Sequence, residues 1–161
     1  MLICTSGGKD AAARALRFEA GTVNPQVAPS AKGVAAIKLM GDALVGGALI
    51  ESSGAKSFVI LLSQQGHVKR ISLDEFPVQG RAGQGVQTWK TNDSTGLVAA
   101  CCIAKEAENL DIYSEKGKRL RLKAKDLPQV TRAIKGTDLP ARLKLGDGLF
   151  SGDPPVGVTV G

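Results

Sequence analysis

Apolar residues come along this chain in short runs separated by glycine-rich turns. Phe58 to Leu62 is an unbroken apolar run of strand length, followed by the turn Ser63-Gln64-Gln65-Gly66 and an alternating stretch from His67 to Ser72. Pro77 ends that pattern, because a proline cannot donate to a strand ladder. After the loop Val78 to Gln84, alternation resumes over Gly85 to Trp89, and Leu97 to Ala104 closes the stretch with another apolar run. The pattern predicts four strands in about fifty residues. Downstream, Leu110 to Tyr113, the turn Ser114 to Gly117 and Lys118 to Lys123 repeat the scheme, with strands expected near Ala141 to Leu145 and Gly148 to Ser151. Upstream, Leu2 to Thr5 and the turn Ser6-Gly7-Gly8 do the same. There Lys9 to Ala15 reads as an insertion forming an extended hairpin tip or a single fraying turn, since seven residues are too few for a stable isolated helix.

The units superimpose on one another in register. Arg17, Arg70 and Arg121 fall 53 and 51 residues apart, and Gly33, Gly85 and Gly136 fall 52 and 51 apart. Leu44-Val45, Leu97-Val98 and Leu149-Phe150 follow linkers containing Gly41-Asp42, Gly96 and Gly146-Asp147. A period of this size denotes an array of one supersecondary unit. The expected fold is all-β: a propeller-like array of three four-stranded blades in a single partial domain, residues 1–161. The blades cover about 1–50, 58–104 and 109–151, and 152–161 reads as an irregular tail. Closed propellers have about four to eight blades. Three units therefore imply part of a larger array, or a homodimer formed through open blade edges.

Composition fits this reading. Twenty glycines and seven prolines suit a turn-rich β protein, and with 4% aromatics the core rests on Val, Ile, Leu and Ala. Three cysteines, two of them adjacent, form neither a disulfide framework nor a metal-ligand pattern, so no metal site and a reduced cytoplasmic setting are expected. No apolar stretch reaches the roughly 20 residues of a membrane-spanning helix, so no membrane role is expected.

The net charge is +6, and most of the excess lies after residue 108, where ten Lys or Arg stand against six Asp or Glu. Lys116 to Lys125 has six cations in ten positions. In a strand, Arg119, Arg121 and Lys123 point to one side, roughly 7 Å apart, a spacing on the scale of successive phosphates of one DNA strand. Leu120 and Leu122 point to the other side. Two readings fit the cations: a solvated outer face, or a phosphate track that Lys69, Arg70 and Arg17 extend into the other units. The absence of interleaved aromatics favours duplex over single-stranded nucleic acid. The loop Gln79-Gly80-Arg81-Ala82-Gly83-Gln84-Gly85 is either an anion-binding nest or a turn needing positive φ. With one histidine and scattered carboxylates, no catalytic set can be assembled, and no cofactor is expected.

Ser63 to Ile71, Leu73 to Phe76 and Gln79 to Val86 together resemble a blade of the C-terminal domain found in the GyrA-type chain of bacterial DNA gyrase or its topoisomerase IV counterpart. Arg17-Phe18-Glu19, Gly33 to Leu39 and Gly41-Asp42 are similar to another blade of that domain. The resemblance implies a β-pinwheel, six-bladed when complete, that binds and bends duplex DNA without reading sequence. It also implies service to a breakage–reunion core and an ATPase subunit, in the bacterial cytoplasm at the nucleoid. On this footing the expected DNA contacts are Arg17, Lys69, Arg70, Arg81, Lys118, Arg119, Arg121, Arg132 and Lys135. The gyrase box Q-R-R-G-G-K-G aligns with Gln79 to Gly85, where Gly80, Ala82 and Gln84 stand in place of Arg, Gly and Lys. Tyr113, the sole tyrosine, reads as packing, and the chain is expected to be an accessory without a catalytic site of its own. The rival reading is a propeller-type protein-interaction scaffold with a basic surface.

Overall fold

The structure, a computed structural model, describes residues 1–8, 11–50, 56–132 and 152–161. Among the described residues ten strands form three antiparallel sheets, with three short 3-10 turns between strands. The first unit supplies β1 (Leu2–Thr5), β2 (Ala13–Arg17) and β3 (Leu44–Ala48). The second supplies β4 (Ser57–Ser63), β5 (Val68–Ser72), β6 (Val86–Trp89) and β7 (Val98–Lys105). The third supplies β8 (Asn109–Ser114), β9 (Arg119–Lys123) and β10 (Pro155–Val160).

Each unit is built around the hairpin its turn glycine dictates, but the strands are not all kept at home. The sheet orders are β3-β1-β2-β6, β5-β4-β7 and β10-β8-β9. Strand β6, expected within the second unit, crosses to the first sheet and pairs antiparallel with β2, Ala15 opposite Val86. Before it does so, the chain touches β2 at a parallel bridge between Arg17 and Val78. The third unit begins the same handover, with a parallel bridge between Arg70 and Gln129. The strands expected near 141–145 and 148–151 lie outside the described residues.

Two further expectations change. Ala13 to Ala15 are strand, so the insertion in the first hairpin is shorter than the repeat alignment implies. Residues 155–160, expected within an irregular tail, form β10 on β8, with Val158 opposite Ile112. Gly152-Asp153 stands before β10 as Gly41-Asp42 stands before β3; Gly146-Asp147 lies outside the described residues. Gly41, Gly96 and Gly152 all have positive φ, and Asp42 and Asp153 both follow such a glycine.

Strand β4 shows why the apolar runs are unbroken. Phe58, Ile60 and Leu62 face the third sheet with Leu110 and Ile112, while Val59 and Leu61 face the first with Leu2 and Cys4. The middle sheet is buried on both sides, so neither face of β4 has water to meet. The far side of the first sheet is sealed by a smaller cluster of Ile3, Leu16, Phe18 and Ile37. Strands β3 and β7 approach closely at Gly46, where a Cβ would lie 2.7 Å from the carbonyl oxygen of Cys101. Among the described residues no helix is long and apolar enough to cross a membrane.

Candidate nucleic-acid interface

The basic residues fall into two groups, those that tie units together and those that face water. Arg17 belongs to the first group. Its Nη1 donates to the carbonyls of Leu73 and Phe76, at 3.4 and 3.3 Å, in the 3-10 turn region of the next unit. Arg81 donates to the Ala35 carbonyl at 2.6 Å, and Arg132 to the Gln87 carbonyl at 2.9 Å. These are the same bond one repeat apart, since Ala35 and Gln87 each lie two residues beyond a positive-φ glycine, Gly33 and Gly85. Arg132 also holds the second 3-10 turn (Leu73–Glu75), its backbone N–H bonded to Glu75 Oε2 at 2.7 Å.

Lys69 is buried and spans the first two sheets. Its ammonium donates to the Thr88 carbonyl at 3.1 Å and sits 4.9 Å from the centroid of the Trp89 ring. Burial pulls its pKa down to about 8. Arg70 is also buried, 4.7 Å from the Phe58 ring centroid and 3.3 Å from Glu106. In this conformation neither side chain presents its charge to a phosphate.

The buried lysine gives a pH signature. From pH about 8 up to the ordinary lysine value of 10.5, the unfolded chain keeps a proton that the folded chain has shed. The unfolded state binds more protons there, so this group's contribution to stability rises with pH across that window. We expect Lys69→Met to lose this rise: in melting experiments the variant's Tm relative to wild type should fall steadily from pH 8 to 10.5. A constant difference would show that Lys69 does not titrate there.

The second group clusters on the third unit. In β9, Leu120 and Leu122 pack inward, while Arg119, Arg121 and Lys123 are exposed on the opposite face. Arg121 lies opposite Asp111, and both arginines fork onto that one carboxylate through Nε and Nη2, at 2.7 to 2.9 Å. The Arg121 and Arg119 hydrogen bonds hold the Asp111 carboxyl well below its ordinary range. The arginine side chains remain 49% and 53% exposed, and the Nη1 of each takes no part in the fork. Around the β8–β9 turn, Lys116 and Lys118 are exposed beside buried Asp153, and Lys118 Nζ stands 3.9 Å from its carboxylate. Lys125 is exposed in the third 3-10 turn (Ala124–Asp126). Lys135 lies outside the described residues.

A family model described as DNA gyrase C-terminal domain, beta-propeller, matches residues 57–100. The gyrase A protein of Aminobacterium colombiense is 31% identical over 147 residues, covering 91% of this chain and 17% of that protein. Its Staphylococcus epidermidis counterpart is 29% identical over 151 residues, covering 91% and 16%. The crystal structure of the C-terminal domain of DNA topoisomerase IV matches with a TM-score of 0.76 at 25% identity, over 99% of this chain and 46% of that one. The chain is a relative of these C-terminal domains. A DNA gyrase A C-terminal domain structure shares the fold at a TM-score of 0.70 and 21% identity, with 50% of it covered. The chain thus spans about half of each solved domain and a small part of the curated gyrase A proteins.

Against the gyrase box, the loop 79–85 reads differently in space than in sequence. Its arginine, Arg81, is used for inter-unit bonding, as are the Ala82 N–H to Ala36 and the Gly83 carbonyl to Lys38. Ala82, where the gyrase box has glycine, carries φ 64°, a left-handed value costly to a residue with a Cβ. Gly85 allows the chain to return beside β2, since a Cβ there would lie 2.4 Å from the Ala15 carbonyl oxygen. Sequence reasoning misses Arg14, whose guanidinium binds Asp42, Lys38 and Gln84. A hairpin arginine paired with a linker aspartate is the signal that could have found it, but the alanines around Arg14 mask it. Among the described residues no group of three His, Cys, Asp or Glu side chains is placed to hold a metal ion.

Proposed function

We propose that this gyrase-type domain binds duplex DNA through its phosphates, without reading sequence, and bends it as an accessory to a type IIA topoisomerase. The observation that carries this reading is the exposed cation cluster of the third unit: Lys116, Lys118, Arg119, Arg121, Lys123 and Lys125 on and around one hairpin. Cations so arranged attract a polyanion and position it without touching base edges. Arg81 and Arg132, committed to bonds between units, add a weaker contribution, while Arg17, Lys69 and Arg70 act through the fold. The partners are duplex DNA, a breakage–reunion core and an ATPase subunit, in a bacterial cytoplasm at the nucleoid. Strand cleavage and ATP hydrolysis belong to those other parts, and binding requires no cofactor.

The reading predicts similar affinity, within about threefold, for two unrelated duplexes of equal length, measured by fluorescence anisotropy with the 161-residue chain. Affinity that differs by about a hundredfold between them would mean base readout, which this surface does not provide. Failure to bind either duplex at low salt would favour the scaffold reading.

A further inference from the structure

The three units permit a position-by-position comparison of the face each sheet turns toward the next. The registers Leu2↔Arg17, Ile60↔Arg70 and Asp111↔Arg121 align the hairpins on their shared arginine. On the first sheet this face carries Leu2, Cys4 and Ala15, all buried against the second sheet. On the second it carries Phe58, Ile60, Leu62 and Val68, all buried against the third. At the same positions the third sheet has Asn109, Asp111, Tyr113 and Arg119. Ile60 is replaced by an aspartate, and Val68 by an arginine.

The shared arginine changes its partner accordingly. Arg17 reaches forward to carbonyls of the next unit, at Leu73 and Phe76. Arg121 instead turns onto Asp111 of its own sheet, 2.7 Å away, where Arg119 joins it. The Asp111 carboxylate takes the place of the backbone acceptors that a following unit would offer. Its oxygens receive four N–H bonds, so the side chain is satisfied without a neighbour. Among the described residues strand β9 is also the outer strand of its sheet, and its side chains Arg119, Arg121 and Lys123 are the kind that discourage pairing at a sheet edge.

We propose that the outward face of the third sheet is a polar cap, on which the Asp111–Arg119–Arg121 fork replaces the apolar surface that the other sheets use to stack, so that a second copy of this chain does not pack there. Stacking would bury three charges, two of them guanidinium groups whose Nη1 lies outside the fork, at a desolvation cost with no new partner to offset it. Polar outer faces are how repeat arrays end without aggregating. The homodimer through open blade edges would use this end, and the face is not built for it.

The test restores the chemistry of the second sheet. Asp111→Ile with Arg119→Val gives the third sheet the residues found at Ile60 and Val68. We expect wild type to sediment at 16.7 kDa across a wide concentration range. The double variant should self-associate at least about tenfold more tightly, because two buried aliphatic side chains are gained at the contact. A folded double variant that sediments like wild type overturns the cap. A second measurement needs no variant: amide exchange in β9 of wild type should not change with protein concentration. Concentration-dependent protection of Arg119 to Lys123, or a wild-type mass rising toward twice its monomer value, would likewise overturn it.

Discussion

Replacing Arg14 by alanine should lower the stability of this domain by about 3–5 kcal/mol, the usual result of stripping one partner from a buried ion pair. In a chain of this size that corresponds to a fall in Tm of roughly 10 °C. Arg14 is 8% exposed, and its Nη2 meets both oxygens of Asp42 at 3.0 and 2.9 Å. The same guanidinium reaches the carbonyls of Lys38 and Gln84, so one side chain fixes the first hairpin, its linker and the box loop of the next unit. Burial alone would raise the Asp42 pKa, but the Met40 N–H, the Thr5 hydroxyl and Arg14 outweigh it and hold it at about 2, below the ordinary 3.8. A carboxylate with a depressed folded pKa adds stability that is fully present above pH 3.8 and is lost as pH falls toward 2. The variant should therefore show a shallower decline in Tm across that acid window, as well as a lower Tm at neutral pH. Removing both partners, as in Arg14→Met with Asp42→Leu, should cost less than Arg14→Ala alone. Equal losses would mean that the pair is not coupled.

The second large effect concerns binding. Arg119→Gln with Arg121→Gln should weaken duplex binding about a hundredfold near 0.1 M salt, since each phosphate contact contributes roughly a factor of ten there through counterion release. Glutamine is chosen over glutamate because its amide still donates to Asp111, whereas glutamate would crowd three carboxylates on one sheet. This variant should also melt lower than wild type, because it leaves the buried Asp111 carboxylate without a cation, so affinities are compared at a temperature where both proteins are folded. A loss confined to one DNA sequence, or no loss at all, would remove these arginines from the interface.

How far the sequence reveals this domain depends on which forces leave a local trace. Strand and turn positions do, because period-two alternation and positive-φ glycines are local requirements, and so β9 is read correctly with Leu120 and Leu122 on one face and its cations on the other. The handover of β6 leaves no local trace: alternation over Gly85 to Trp89 announces a strand but not which sheet receives it. Lys69 and Arg119 look alike in sequence, as cations in alternating basic hairpins. One is buried against Trp89 and the other faces water, because the second sheet has neighbours on both sides and the third sheet's outer face is polar. Spacing alone assigns the third linker to Gly146-Asp147. Those residues lie outside the described ones; spacing gives no hint of Gly152-Asp153, whose aspartate receives the Lys116 N–H at 2.9 Å and anchors the hairpin turn. The fork on Asp111 is legible in sequence only as residues on separate strands, and the register that brings them opposite each other is a property of the hairpin.

Phosphate binding by the exposed cations of the third unit can be measured as the salt dependence of duplex affinity. For about five phosphate contacts, log affinity should fall against log salt with a slope of roughly −4 to −5, and the Arg119→Gln, Arg121→Gln variant should flatten it by about 2. A wild-type slope near zero, or a slope unchanged in the variant, would mean that these cations do not hold DNA.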